Sequence, residues 1–449
     1  MDDSMVLEIL ELLKGRDHVP DVWQNVEHLI SDAFAPQMTI GNERPCEITD
    51  FHDYLVNISS KFKNLTLIFK QISEKTDPSE IHSTSKSIGK HHAVLLLLLC
   101  GEHSNENIWT TSDTIKYSRE LLSYLCKLYY LKSVLELLTG TESKSGFVEL
   151  FSAAIFTLRP KLLKGTWKTY PAAVSCYQWM LFQMKSPHLS PHLNSVLPTA
   201  LIILDDYVLE NRISGIKCLA HITDNITRTE LGWHGHGEVI YKALEPLLYQ
   251  KKEALIQPLI SCLVIVLGKI EGGYIKEEAS FEWSRYDEVL EKVLQCMEME
   301  DHCNVRLAYI SSLPLLLDSA GLRMCRWSKR LLRVLSGSME VAGLSLREEA
   351  FFALLALQVF LKHCWPFVPA HSHDLIHMLL KLLCDITFKK NNDNKKLDVE
   401  DEHIVSKIEE CLSLVVKIAP KETQPIGSKL KDKARFSETF VTVVNRVFE

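Results

Sequence analysis

The chain of 449 residues reads as an all-α protein, an α-solenoid of HEAT/armadillo-like helical repeats. Three observations predict this. First, one helical stripe recurs in a constant register. Counting from Arg212, apolar residues fall at Ile216, Leu219 and Ile222, offsets +4, +7 and +10, which is one face of a 3.6-residue helix. The same register follows Lys252 (Ile256, Leu259, Cys262), Arg306 (Ile310, Leu313, Leu316) and Arg347 (Phe351, Leu354, Leu357). The four basic residues stand 40, 54 and 41 positions apart, close to the roughly 40 to 47 of such arrays. Second, no stretch alternates apolar and polar residues between hairpin turns, so no sheet is expected. Third, the chain is 46% apolar and 24% charged, enough to bury a large core. A length of this size would ordinarily suggest about three domains, but stacked helix pairs form one continuous core.

Taken in order, the elements are helices separated by polar breaks. The opening MDDSMVLEILELLKG carries a helical stripe at Val6, Ile9, Leu10 and Leu13, stopped by Lys14 and Gly15. It is acidic, unlike a signal peptide. Breaks fall at residues 35–50, 75–90, 139–146, 268–288 and 389–402. The 268–288 segment reads as a loop inserted into one repeat, which accounts for the 54-residue spacing. Segment 389–402, KKNNDNKKLDVEDE, offers only Leu397 and Val399 for burial and reads as disordered. Residues 1–100 are taken as an N-terminal helical segment and 101–449 as the solenoid. Pro198, Pro258 and Pro314 lie within or beside helical stripes and should bend or interrupt them.

Charge and cysteine usage narrow the function classes. A net charge of −7 argues against a nucleic-acid binder, whose affinity comes largely from neutralising phosphates. The longest apolar runs, 93–100 and 259–267, fall short of the roughly 20 residues that span a bilayer and read as buried helices. Twelve cysteines and the sequons at Asn57, Asn64 and Asn225 could suit a secreted chain. Yet Cys126, Cys218, Cys262 and Cys411 sit within apolar stripes, where a reduced thiol acts as a small hydrophobe. A cytoplasmic and nuclear location is expected.

The candidates for chemistry each have a structural reading. Asp205 and Asp206 could be an acid–base pair, but adjacent helical residues diverge while paired carboxylates must converge. Standing where a helix should begin, they read as caps. Cys218 and His221, three apart on one face, could be a nucleophile and base, yet read better as a packed core pair. His234 and His236, with Glu238 nearby, make an incomplete zinc set in a glycine-rich turn. No CxxC, HExxH, Walker loop or GxSxG occurs. No catalytic residue, metal or cofactor is therefore assigned.

Residues 196–223 also carry a signature: LPxxLxxxDDYxxxNRxxGxxCLxHI, with Pro198, Asp205, Asp206, Tyr207, Asn211, Arg212, Gly215, Cys218 and His221 among its defined positions. It resembles the core signature of the Tel-two-interacting protein two family, the small subunit of the Triple-T co-chaperone complex. Three further segments are similar to that family. They are WTT from Trp109; RPKLLKGTWKTYPAA, with Trp167 and Pro171, followed by a block from Trp179; and HCWPFV, with Trp365 and Pro366, followed by LLKLLCDI. The tryptophans default to core packing, with Trp365 and Pro366 fixing helix register and the run 377–386 packing back on the helix that ends in FLKHCW.

The resemblance implies a non-enzymatic adaptor supporting maturation of phosphatidylinositol-kinase-related kinases. Its partners would be the large solenoid subunit and the Tel-two subunit, and indirectly the ninety-kDa heat-shock chaperone machinery; no nucleic acid and no membrane are implied. Two alternatives stay open: a transport or phosphatase adaptor, or a hydrolase using Cys218 and His221. The helical reading predicts a far-UV circular dichroism spectrum dominated by helix and no stoichiometric zinc by elemental analysis; a strong β signal or one tightly held zinc per chain would contradict it.

Overall fold

Local chemistry sets where the helices start and stop. In a computed structural model that describes residues 20–38, 44–75, 89–143, 146–272, 282–342, 347–391, 398–431 and 437–448, side-chain caps open several helices. Thr111 Oγ1 accepts from Thr114 N at 3.1 Å, and Ser284 and Thr227 form capping boxes with Asp287 and Glu230. Gly321, at φ 57, closes another helix in a conformation that disfavours side chains. The chain divides into two compact units, 1–226 and 227–449, and the helices on either side of residue 100 belong to the first.

In the first unit the helices are α1 (Pro20–Ala33), α2 (His52–Lys75), α3 (Lys90–Glu102), α4 (Ser112–Leu128), α5 (Val134–Thr139), α6 (Phe151–Leu158), α7 (Pro171–Gln183), α8 (Leu193–Leu204) and α9 (Leu209–Asp224). Helix α2 packs on α4, α3 on α7, and α8 on α9. Helix α3, KHHAVLLLLLCGE, is apolar around its circumference and accordingly buried on nearly all sides. Contrary to the expectation of no sheet, Thr141–Ser143 (β1) and Gly146–Val148 (β2) pair antiparallel, in a hairpin that begins in the expected 139–146 break and runs past its end.

The second unit contains α10 (Arg228–Trp233), α11 (His236–Leu244), α12 (Glu253–Ile270), α13 (Arg285–Glu298), α14 (Cys303–Ala320), α15 (Ser328–Ala342), α16 (Arg347–His363), α17 (Val368–Asn391), α18 (Val399–Ile418), α19 (Pro420–Lys431) and α20 (Glu438–Phe448). Two layers follow from their packing. Helices α12, α14, α16, α18 and α20 stack in sequence as one layer, and α13, α15, α17 and α19 as the other. The predicted stripes line the first layer: Ile256, Leu259, Cys262, Ile310, Leu313, Leu316, Leu354 and Leu357 are all buried, with Phe351 half-buried. Helix α12 is long and apolar enough by composition to cross a bilayer. Its buried stripe, packed on α11 and α14, is that of a core helix.

Ion pairs tie neighbouring helices within each layer. Arg306 on α14 makes a bidentate bridge to fully buried Glu349 on α16, both contacts at 3.1 Å. Arg347 on α16 reaches fully buried Asp401 on α18 at 2.9 Å. In the other layer Arg330 on α15 grips Glu298 on α13 at 2.9 and 2.7 Å, and Lys381 on α17 meets Glu340 on α15 at 3.0 Å.

Several expectations are corrected. The insertion is shorter than 268–288, because α12 runs to Ile270 and α13 starts at Arg285; residues 273–281 lie outside the described residues. Helices α17 and α18 likewise shorten 389–402, reaching Asn391 and resuming at Val399, with 392–397 outside the described residues. The stripe at Val6 to Leu13 lies outside them too. Pro198, Pro258 and Pro314 interrupt nothing, since α8, α12 and α14 run through them. Trp365 is 59% exposed, not core, because it sits on a three-residue 3-10 turn at a 91° bend between α16 and α17. That bend carries residues 377–386 away from α16, and α17 packs on α15, α18, α19 and α20.

Removing one partner of the Arg306–Glu349 bridge leaves a buried charge unpaired. Arg306→Ala or Glu349→Ala should each cost about 3–5 kcal/mol, while replacing both with leucine should cost much less. Denaturant unfolding of the three variants checks this; equal costs that simply add would refute the pairing.

Candidate interaction site

The corner between α8 and α9 is built by four signature residues. Asp206 is buried, and its carboxylate accepts from Asn211 Nδ2 at 2.7 Å and pairs with Lys168 Nζ at 2.5 Å. Its backbone carbonyl accepts from Arg212 Nε at 3.0 Å and Nη2 at 2.6 Å. Arg212 thus grips the turn that precedes its own helix. Burial pushes the Asp206 carboxyl up, but the hydrogen bond from Asn211 and the pairing with Lys168 outweigh it and hold the group below its ordinary range. Gly215 lets α9 press on α8, because a Cβ there would meet Leu204 N at 2.5 Å.

The capping reading of the two aspartates is therefore wrong. Helix α9 starts at Leu209 behind Val208, which has no acceptor side chain, so neither carboxylate lies at the helix start. Asp205 instead ends α8 and points into solvent, where it meets Lys164 at 3.1 Å. Cys218 is fully buried, with its thiol pushed up to about 12 by burial. His221 donates Nε2–H to the Met184 carbonyl at 2.8 Å, so that nitrogen is not available as a base toward Cys218.

Other predicted residues lie elsewhere. Pro171 opens α7 at its first turn, where a missing N–H costs nothing, and Pro198 lies inside α8. In the second unit, His234 and His236 flank Gly235, whose φ of 66 joins α10 to α11, so the expected loop is a tight helix corner. Glu238 is engaged by Arg285 at 2.7 Å. Among the described residues, no three or more His, Cys, Asp and Glu side chains gather to hold a metal. Trp365 and Pro366 are exposed on their bend, also in the second unit.

Beside the Asp206 corner, in the first unit, lies a groove of about 560 Å³. Trp109, Trp167 and Pro171 line it together with Asp206, Tyr207 and Asn211. Tyr207 is 61% exposed and lies under the Lys168 ammonium, 4.3 Å from its ring centre. Gln178 Nε2 donates to Ser214 Oγ at 2.6 Å, tying α7 to α9 across the floor. Trp109 is aimed by its indole N–H, which donates to the Glu102 carbonyl at 3.0 Å. The Glu102 side chain accepts from the Ala35 amide at 3.1 Å, and burial pushes that carboxyl up to about 7. At the rim, Arg44 holds Asp50 bidentately at 3.0 and 2.7 Å. The groove is thus walled by aromatic side chains and edged by charged groups held in fixed positions.

Sequence reasoning singled out Trp109, Trp167, Pro171, Asp206, Tyr207 and Asn211, and the fold brings them together. It passed over Lys168, which lies inside a recognised block, and Glu102 and Gln178, whose partners are 67 and 36 residues away.

The corner sets the two aspartates apart. Asp206→Ala should cost about 1–3 kcal/mol by stranding Asn211 and Lys168, whereas Asp205→Ala should leave stability within about 0.5 kcal/mol. Because the Asp206 pKa is lowered on folding, its contribution should be full above the ordinary value of 3.8 and fade as pH falls below it. Denaturant unfolding of both variants at pH 7 and pH 3 tests the assignment; equal losses would overturn it.

Comparison with known proteins agrees with the fold. The Tti2 family pattern matches residues 141–340, which include the whole corner. The chain is 32% identical over 338 residues to TELO2-interacting protein 2 of Homo sapiens, covering 74% of this chain and 66% of that protein. It is 31% identical over 346 residues to the Rattus norvegicus protein of the same name, covering 76% and 67%. The chain thus matches about two thirds of the length of these relatives. Among solved structures, importin beta superposes with a TM-score of 0.51 at 12% identity, over 98% of this chain and 60% of that one, a likeness of fold alone. Kap121p bound to RanGTP gives 0.52 at 12%, over 95% and 37%. The α-solenoid is thereby shown, and the chain belongs to the Tti2 family.

Proposed function

We propose that this chain is a non-enzymatic adaptor subunit of a Triple-T-like co-chaperone complex that supports maturation and stability of phosphatidylinositol-kinase-related kinases. Membership of the Tti2 family carries the reading, since the relatives are named for interacting with TELO2. Its partners are then the Tel-two subunit and the large solenoid subunit, with the ninety-kDa heat-shock chaperone machinery and the kinases reached through them, in cytoplasm and nucleus. The buried Cys218 thiol and the engaged His221 nitrogen favour the adaptor over a hydrolase.

Such a subunit acts by mass action. Binding only the folded partner draws that partner away from unfolding and degradation, so no catalytic step is needed. The groove beside Asp206 supplies a contact surface, and exposed Tyr207, held from one side by Lys168, is its candidate hot spot.

Acute depletion should lower the partner subunits and several of the kinases together over hours to days, with their transcripts unchanged. Tyr207→Ala should preserve helicity and thermal stability while cutting co-purification of the Tel-two subunit at least tenfold. Quantitative proteomics with transcript counting, and affinity purification of the variant, check these outcomes. Constant kinase levels, with an unrelated assembly co-purifying, would instead favour a transport or phosphatase scaffold.

A further inference from the structure

Two thiols meet at the bend between α16 and α17. Cys364 is the single residue between α16 and the 3-10 turn Trp365–Phe367, where the chain turns by 91°. Cys325 lies in the 3-10 segment Gly321–Trp327 that follows α14. The Cys325 and Cys364 sulfurs face each other across 2.8 Å. A covalent S–S bond is about 2.05 Å long, so closure needs an approach of less than about 1 Å. Other thiols behave differently: those of Cys176, Cys296 and Cys411 donate to the carbonyls of Leu98, Leu248 and Leu354.

The surroundings give the two sulfurs unequal roles. Cys364 is fully buried, whereas Cys325 is half-buried and within reach of a small solute. A hydrogen bond from the Cys364 thiol stabilises the Cys325 thiolate and holds that group below the ordinary thiol range, although burial opposes it. Cys364 is pushed up by the same contact and by burial. The corner therefore holds one accessible, partly activated sulfur with a protonated sulfur against it.

We propose that Cys325 and Cys364 form a modification site, a peroxide-oxidised, thiol-reversible disulfide that ties the turn after α14 to the bend bearing Trp365. The Cys325 thiolate attacks the peroxide oxygen, forming an S–O bond as the O–O bond breaks, and the departing hydroxide takes up a proton as water. Cys364 sulfur then attacks the sulfenic sulfur of Cys325; the S–O bond breaks, and the second hydroxide leaves as water with the Cys364 proton. Hydrogen peroxide is reduced to two waters and two thiols are oxidised to one disulfide. Attack by a small thiol on the Cys325 sulfur breaks the S–S bond and frees the Cys364 thiol, and a second thiol then releases Cys325 from the mixed disulfide, leaving the small-molecule disulfide. Because Trp365 is 59% exposed and Phe367 45% exposed on the same bend, the bond would fix the orientation of an exposed aromatic pair.

The test uses the full chain, reduced, exposed to hydrogen peroxide, quenched in acid, then denatured and alkylated for peptide mass spectrometry. Cys325 and Cys364 should lose alkylation together by at least tenfold, a cross-linked peptide should appear, and dithiothreitol should restore both. Exposed Cys303 should stay alkylatable. In Cys364→Ala, Cys325 should instead be trapped by dimedone as the sulfenic acid; should that variant misfold, the wild-type peptide map decides alone. Both thiols remaining alkylatable after peroxide, or Cys325 bridging to any other cysteine, would overturn the proposal.

Discussion

Stacked amphipathic helices are held together by apolar stripes, but a stripe alone is a poor ruler. One turn of slip along the axis replaces one set of leucines with another of nearly equal size. The paired charges remove that freedom. Glu349 and Asp401 are fully buried, and each meets an arginine from the preceding helix of its layer. A slip of one turn would strand the carboxylate in the interior, at a cost of several kcal/mol, while a correct fit roughly offsets desolvation. These bridges thus contribute more to choosing the alignment than to net stability. In the two bridges to buried carboxylates the arginine precedes its partner, whereas in the Arg330–Glu298 and Lys381–Glu340 pairs of the other layer the carboxylate comes first.

This gives the recurring basic residues of the sequence three physical meanings. Arg306 and Arg347 bridge to the next helix of their layer, Arg212 folds back on the carbonyl of Asp206, and Lys252 only precedes α12. The stripes were legible because helical periodicity is a short-range property, written within ten residues. The partners of those bases were not, since Glu349 lies 43 positions beyond Arg306 and nothing local marks it. Trp365 shows the same limit. A tryptophan beside a proline in an apolar block reads alike whether the bend turns it inward or outward, and only the 91° turn decides.

The Asp206 corner shows how one short signature can serve two ends. Asn211, Arg212 and Gly215 work inward, fixing the approach of α9 to α8, while Tyr207 is left on the surface of a groove. The residues that shape the turn and the residue that a partner could touch are neighbours in the chain, so the signature as a whole was recognisable before its parts could be assigned. The aspartates were misassigned as caps because the sequence shows two acids ahead of a helix but not Lys168, 38 positions earlier in the chain and close in space.

Proline within the helices carries a mechanical consequence. Pro198, Pro258 and Pro314 each lack the amide that would tie them to the carbonyl four residues earlier, those of Asn194, Ala254 and Ile310. Two of these prolines lie on α12 and α14, adjacent members of one layer. A rod missing one of its internal ties bends more easily there than elsewhere, so elastic strain collects at these points while the packed side chains keep their neighbours. Each of these helices therefore has one point where its backbone is held by one hydrogen bond fewer, and that is where it bends most readily.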